Sequence, residues 1–485
     1  MTDLAFESAS RLAAAIRSKS VSSRELLSMY LQRVAQHNPA LNAVVTLDSE
    51  RALARTDAAD AALARGESWG PLHGVPMTIK DSFETADLRT TAGAPVLAQY
   101  VPTADAVAVR RLLSAGAIVF GKTNLPTFAM DIQSYNPVFG CTQNPWDLAR
   151  TPGGSSGGAA AALAAGLTAL ELGSDIGGSI RTPAHFCGVY GHKPSYGIVP
   201  MHGHIPGPPG TLSQPDIAVA GPMARDAADL ALALDVLAGP STELATAWHL
   251  QLPPSRHESL RGFRVAAWLD DPACSVDAEV LARHHALVDT LRLAGATVDE
   301  TARPAFSFGE AWALYLDLLY AATSPGLPRE QWQKLALAAD RLPPGADDAG
   351  SRFMRSVTLR HRDWLGVHEK REQLRAAWAT FFREHDVLLC PPTPTAAPLH
   401  DHSEPMPARV IRVNGRERPY SEQLAWAGLI GMAWLPSTVA PAGRTSTGLP
   451  VGVQIVGPYL EDRTTIRFAQ LLAEAAGGFE RPPGF

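Results

Sequence analysis

The segment from Thr151 to Gly188, TPGGSSGGAAAALAAGLTALELGSDIGGSIRTPAHFCG, sets the tightest limit on how this chain folds. Its middle, AAAALAAG, is an apolar helix of small residues. Such a helix has no polar face to give to water, so neighbouring elements must pack closely around it. That requirement argues against reading GGSSGG as a flexible linker. A helix from about Gly157 to Gly166 rises about 1.5 Å per residue and carries the chain roughly 14 Å from Ser155. The run LTALELG, read as a strand at about 3.3 Å per residue, returns roughly 17–20 Å. Ser155 and Ser179 are therefore expected at one sheet edge, within hydrogen-bonding reach of each other. That edge is the carboxyl end of the strand, where open α/β sheets form ligand crevices.

The rest of the chain supports such a sheet. Residues 7–36 and 48–65 show helical spacing, with Ser22 and Ser23 as a cap region. GVPMTIKD, AGAIVFGK and LTALELG are short apolar runs alternating with helical patterns, which implies an α/β fold with a largely buried sheet. From 308 to about 384 the pattern is helical again, and strands resume at HDVLLCP, PSTVAPAG and PVGVQIVG before a last helix at about 462–475. With 46% hydrophobic residues and no fixed-period repeat, one compact domain is expected. Within it, 1–65 supplies N-terminal helices and 66–300 the core. Residues 305–384 form a helical insertion that shapes the substrate pocket, and 385–485 return to the sheet.

The chemistry concentrates around Ser179. Gly177 and Gly178 can turn successive N–H groups into one concavity, and the donors of Ile176, Gly177, Gly178 and Ser179 are candidates to hold an oxyanion. The serine needs a base. Only six of the 42 basic residues are lysines, and Lys80, Lys122 and Lys193 lie in apolar or glycine-rich surroundings. Unlike arginine, a buried lysine can lose its proton. Lys80 ends the apolar run GVPMTIKD, so burial favours its neutral amine, and if the strand persists through Asp81, alternation sends that carboxylate to the opposite face. His185 is the competing base, but it follows Pro183 beyond the tight turn and would have to fold back across the nest.

Several other patterns carry less. GAIVFGKT (116–123) matches a P-loop by letter, yet its middle reads as a strand. GGSSG matches a nucleophile elbow but follows a proline-bounded loop instead of a strand. HDHSE (400–404) lacks typical metal-ligand spacing and reads as a solvated loop. Cys141, Cys187, Cys274 and Cys390 form no C-x-x-C pair, which fits reduced thiols in a cytoplasmic enzyme. The net charge of −6 argues against a nucleic-acid partner. No apolar run is long enough for a membrane span, and the N-terminus lacks a signal-peptide pattern.

Taken together, the GGSSGG element, the D-x-GGS-x-R element and the upstream GVPMTIKD lysine resemble the amidase signature family, from about residue 5 to GLPVGVQIVG. The resemblance implies a mixed, roughly eleven-stranded sheet covered by helices, and no metal or organic cofactor. It implies Ser179 as nucleophile, Ser155 as bridging serine and Lys80 as base. Ile176, Gly177 and Gly178 then supply oxyanion N–H groups, while Asp175 and Arg181 hold the loop. Lys80, relayed by Ser155, would take the proton of Ser179, and an acyl-enzyme would form and be hydrolysed. The expected substrate is a small-molecule amide. Met130, Ile132, Trp312 and Tyr315 are the candidate pocket, favouring aryl or hydrophobic groups, with esters and carbamates (urethanes) as further substrates. The proline-rich loop after Gly197 and the apolar character of 128–140 favour a free-standing amidase, as a homodimer. The alternative is the glutaminase subunit of a glutamyl-tRNA amidotransferase.

Overall fold

The computed structural model describes residues 4–485; residues 1–3 of the N-terminal helical region lie outside the described residues. Eleven strands form one mixed sheet. In spatial order they are Val44–Leu47, Ile118–Thr123, Pro76–Lys80, Glu171–Asp175, Val219–Ala224, Tyr190–Lys193, Ser437–Arg444, Pro450–Val456, Val387–Cys390, Arg264–Ala267 and Thr297–Asp299. Pro76–Lys80 runs parallel to both its neighbours, and Glu171–Asp175 runs antiparallel to Val219–Ala224. These central strands are buried along their whole length. That explains why the sequence shows continuous apolar runs there instead of alternation.

The small-residue helix forms at Gly157–Ala164 and is buried on every side. A Cβ added at Gly158 would sit 2.6 Å from Asn124 O and 2.9 Å from Ala43 O, so only glycine lets this helix approach the sheet so closely. From 151 to 190 every residue is buried except the half-buried Ile176. The following strand starts at Glu171, later than the apolar run beginning at Leu167 indicates, and continues through Asp175. Residues 167–170 are held as a turn instead: Thr168 Oγ1 accepts from Thr78 N–H (3.0 Å), and Thr168 C=O accepts from Arg225 (2.6 Å).

N-terminal helices span Ala9–Arg17, Ser23–Leu41 and Ser49–Ala64. Ser22 caps the second through a reciprocal pair with Glu25. The later helical stretch resolves into Phe308–Thr323, Arg329–Ala339, Ala349–Val357 and His361–Glu384. Its Tyr315, Leu318 and Trp378 join Trp426 in a second core cluster. Lys122 of the P-loop look-alike sits in a strand, buried, donating to Phe83 C=O (2.5 Å) and the hydroxyls of Thr85 and Thr90 (each 3.0 Å). Among the described residues, no helix is long and apolar enough to cross a membrane.

Candidate active site

Lys80 is the last residue of its strand and is fully buried. Its Nζ lies 2.6 Å from Ser155 Oγ and 3.0 Å from Ser174 Oγ. Burial lowers its pKa to about 7, against the opposing pull of the Asp175 and Glu171 carboxylates. Neither carboxylate locks the amine as an ion pair. Asp175 is engaged bidentately by Arg181 (2.8 and 3.0 Å), and burial raises Glu171 to about 8, so it is mostly protonated at neutral pH. The strand ends before Asp81, so alternation does not set its direction; its carboxylate is instead held by Thr91, accepting from Thr91 N–H (3.0 Å) and Thr91 Oγ1 (2.6 Å). Lys193, the third lysine singled out, has its Nζ on Pro194 C=O (2.9 Å).

The two serine-bearing turns meet through the backbone: Ser156 N–H donates to Ser179 C=O (3.0 Å). Among the described residues no hydrogen bond joins Ser155 Oγ to Ser179 Oγ. Ser179 is 9% exposed and Ser155 1%, so Ser179 is the more accessible of the two hydroxyls.

Asp175 organises the turn between them. Burial alone would raise its pKa, but the Arg181 guanidinium and the N–H groups of Ile180 and Gly178 hold it at about 2. Its Oδ1 accepts from Gly178 N–H (2.8 Å) and its Oδ2 from Ile180 N–H (3.0 Å). The Gly178 N–H is therefore turned back into the loop, which leaves the N–H groups of Ile176, Gly177 and Ser179 as the candidate donors. Arg181 is tied further to Ala427 C=O (2.7 Å) and Gln454 Oε1 (2.6 Å). His185 lies within the helix Arg181–Cys187, with Nε2 donating to Thr395 C=O (2.9 Å) and Nδ1 accepting from Gly452 N–H (2.6 Å). Burial pushes its pKa down to about 4. Both ring nitrogens are committed away from Ser179.

The four expected pocket residues separate. The Tyr315 hydroxyl donates to Ile176 C=O (3.4 Å), and a Cβ on Gly177 would lie 2.5 Å from it. Trp312 stacks behind Tyr315 with ring centroids 5.6 Å apart. Ile132 packs with Ile411, Val413 and Tyr420 in a small cluster that Leu424 joins. Met130 is exposed. Sequence reasoning missed Ser174 and Leu424. Ending the strand at Gly173 left Ser174 without a place; paired with Ala220, it stands beside Lys80. Leu424 lies 3.1 Å from a Cβ built on Gly177, and no local motif marks it.

A family model described as amidase matches residues 25–466. The chain is 32% identical to a glutamyl-tRNA(Gln) amidotransferase subunit from Thermosynechococcus vestitus, over 96% of this chain and 97% of that protein. It is 35% identical to the subunit of the same name from Prochlorococcus marinus, over 93% of each. A solved amidase structure superposes with a TM-score of 0.78 at 29% identity, covering 97% of this chain and all of that one. The expectation of a free-standing amidase in preference to an amidotransferase subunit is thereby overturned. It rested on 198–225 and 128–140, which include long surface connections, and such segments vary in composition independently of the site.

Proposed function

The chain belongs to the amidase family and cleaves amides, and from that premise we propose that it is the glutaminase subunit of an amidotransferase, releasing ammonia from the glutamine carboxamide. The observation that carries the chemistry is the 2.6 Å contact of the buried Lys80 amine with Ser155 Oγ. The likeness to glutamyl-tRNA(Gln) amidotransferase subunits supports the amidotransferase reading, for which glutamine is the proposed amide donor.

Neutral Lys80 accepts the proton of Ser155 as Ser155 takes that of Ser179, and Ser179 Oγ bonds to the amide carbon. The N–H groups of Ile176, Gly177 and Ser179 receive the oxyanion. The proton returns through Ser155 to the leaving nitrogen, the C–N bond breaks and ammonia departs. Water then attacks the acyl-enzyme by the same relay, releasing the acid and regenerating Ser179. Asp175 and Arg181 keep the turn in shape. Residues 305–384 supply Tyr315 to the acyl side. A glutaminase of this kind works with unlike partners, in place of the homodimer expected from sequence, and its four unpaired cysteines fit a reducing cytoplasm.

A second reading has its own support. Tyr315 and Leu424 crowd Gly177 with an aromatic and an aliphatic group, which suits aryl or hydrophobic acyl groups, including esters and carbamates. The test is ammonia release from glutamine, set beside anilides, alkyl amides and aryl carbamates, using the purified chain alone and with the partner subunits co-expressed. Glutamine turnover that vanishes in Ser179→Ala supports the glutaminase. Turnover of anilides or carbamates with none of glutamine in either preparation overturns it in favour of the second reading.

A further inference from the structure

Two histidines two residues apart, His400 and His402, converge on a cysteine that lies 259 residues earlier than the first of them. Cys141 belongs to a short hairpin, Tyr135–Asn136 paired with Gly140–Cys141. Its Sγ is 3.6 Å from His400 Nδ1 and 3.9 Å from His402 Nε2, and the three atoms all lie within 4.8 Å of one another. We propose that Cys141, His400 and His402 form a binding site for a zinc-class divalent ion, separate from the Ser179 site.

The spacing fits. With Zn–S near 2.3 Å and Zn–N near 2.0 Å, a tetrahedral centre sets sulfur and nitrogen about 3.5 Å apart and two nitrogens about 3.3 Å apart. The two sulfur–nitrogen separations, 3.6 and 3.9 Å, are within a few tenths of an ångström of that value, and the three atoms lie within 4.8 Å of one another, so the exposed His402 ring has to draw in towards His400 on binding. The tautomer fits as well. His400 Nε2 faces the Gln143 Oε1 acceptor at 2.7 Å and so carries the proton, which leaves Nδ1 as a bare lone pair aimed at the sulfur. The His402 ring is held flat against Tyr135, centroids 3.9 Å apart and 20° from parallel.

A thiol hydrogen bond alone accounts for less. Cys141 has one proton, and two imidazole nitrogens and Thr142 C=O (3.5 Å) compete for it. A metal uses the sulfur and both nitrogens at once, with the thiol proton passing to buffer. His402 is exposed, so an ion enters from solvent and water completes the tetrahedron. The sequence pattern HDHSE, read as a solvated loop, holds only two of the three ligands.

The site would act as a clip. Asp401, between the two histidines, is paired reciprocally with Gln133: the amide donates to Asp401 C=O (2.5 Å), and Asp401 N–H donates back to Oε1 (3.0 Å). The backbone of Ile132 and Gln133 in turn crowds Gly154, where a Cβ would meet both at 2.7 Å. Gly154 precedes Ser155, so the ion would pin the outer wall of the segment carrying the bridging serine.

The test titrates chelator-stripped protein with Co²⁺ and then Zn²⁺. The expected result is one Co²⁺ per chain with a thiolate-to-cobalt charge-transfer band, displaced by Zn²⁺, and a higher Tm with Zn²⁺. Cys141→Ser abolishes the band, and His402→Ala, an exposed position that keeps the fold, weakens binding by about tenfold or more. Ser179→Ala binds metal as the wild type does, so the outcome is independent of the reaction assigned to Ser179. A band that survives Cys141→Ser, cobalt bound without a band, or no stoichiometric binding overturns the site.

Discussion

The segment 151–190 and the helical stretch 308–384 both reach the Ser179 turn, but they are built on opposite terms. In the first, all residues but one are buried, the helix is made of glycine, alanine and one leucine, and the approach of Gly158 to Asn124 leaves no room for a methyl group. In the second, Tyr315 alone is shown against the turn, while the Arg329–Ala339 helix buries none of its side chains. A site whose reacting groups must keep fixed distances is placed on the densely packed segment. The helical stretch, proposed to shape the acyl side, is the segment with room to vary.

The largest effect expected separates the two at the level of chemistry. Lys80→Ala should lower turnover by about a thousandfold or more while the protein stays folded, because no other group accepts the proton. His185→Gln should stay within about tenfold of wild type, since both its nitrogens serve the backbone. The pH profile sharpens the assignment. An amine with pKa near 7 is a base only above that pH, so activity should rise through about pH 7 and then level. Lys80→Arg, which never deprotonates, should be inactive at every pH. Near-normal activity in Lys80→Ala would end the Ser–Ser–Lys reading.

On the helical side the expected signature is selectivity. Tyr315→Ala should change the ranking of glutamine against an anilide more than it changes the rate on a small amide, because it removes the group beside Gly177. Trp312→Ala, one ring further back, should do the same more weakly. Uniform losses that track Tm would reduce both residues to core.

The same contrast governs what could be read from the sequence. The α/β class, the small-residue helix and the Lys80 strand were legible because close packing and burial leave little choice of residue: glycine where Asn124 approaches Gly158, lysine where arginine cannot neutralise. Ser174 was lost because the true strand starts four residues late, its apolar entrance being held as a turn by Thr168. Leu424 was invisible because nothing local marks it, and HDHSE was set aside because the cysteine that His400 and His402 approach, Cys141, lies 259 residues away. The choice between free-standing amidase and amidotransferase component failed where it leaned on surface loops.

Glycine-to-alanine changes test the packing contrast directly. Gly158→Ala forces its methyl group against the backbone of Asn124 and Ala43, and overpacking of this kind costs about 1–3 kcal/mol. Its Tm should fall, and activity with it, since this helix follows directly on Ser155 and Ser156. An unchanged Tm would mean that the helix can shift and that the packing around it is looser than described.

The smallest effect has the opposite sign. Gly366 lies inside the His361–Glu384 helix, and a Cβ there meets nothing within 4 Å. Alanine restricts the unfolded chain and favours helix by about 0.5–1 kcal/mol relative to glycine, with no packing penalty to offset it. Gly366→Ala should therefore raise Tm slightly and leave the rate on every amide unchanged, because nothing places that turn of helix near Ser179. If Gly366→Ala instead destabilised the protein or altered substrate ranking, that surface would be packed against something, such as a partner protein or a moving part of the wall. The division between a rigid, filled site segment and an open helical wall would then fail at this end of the stretch.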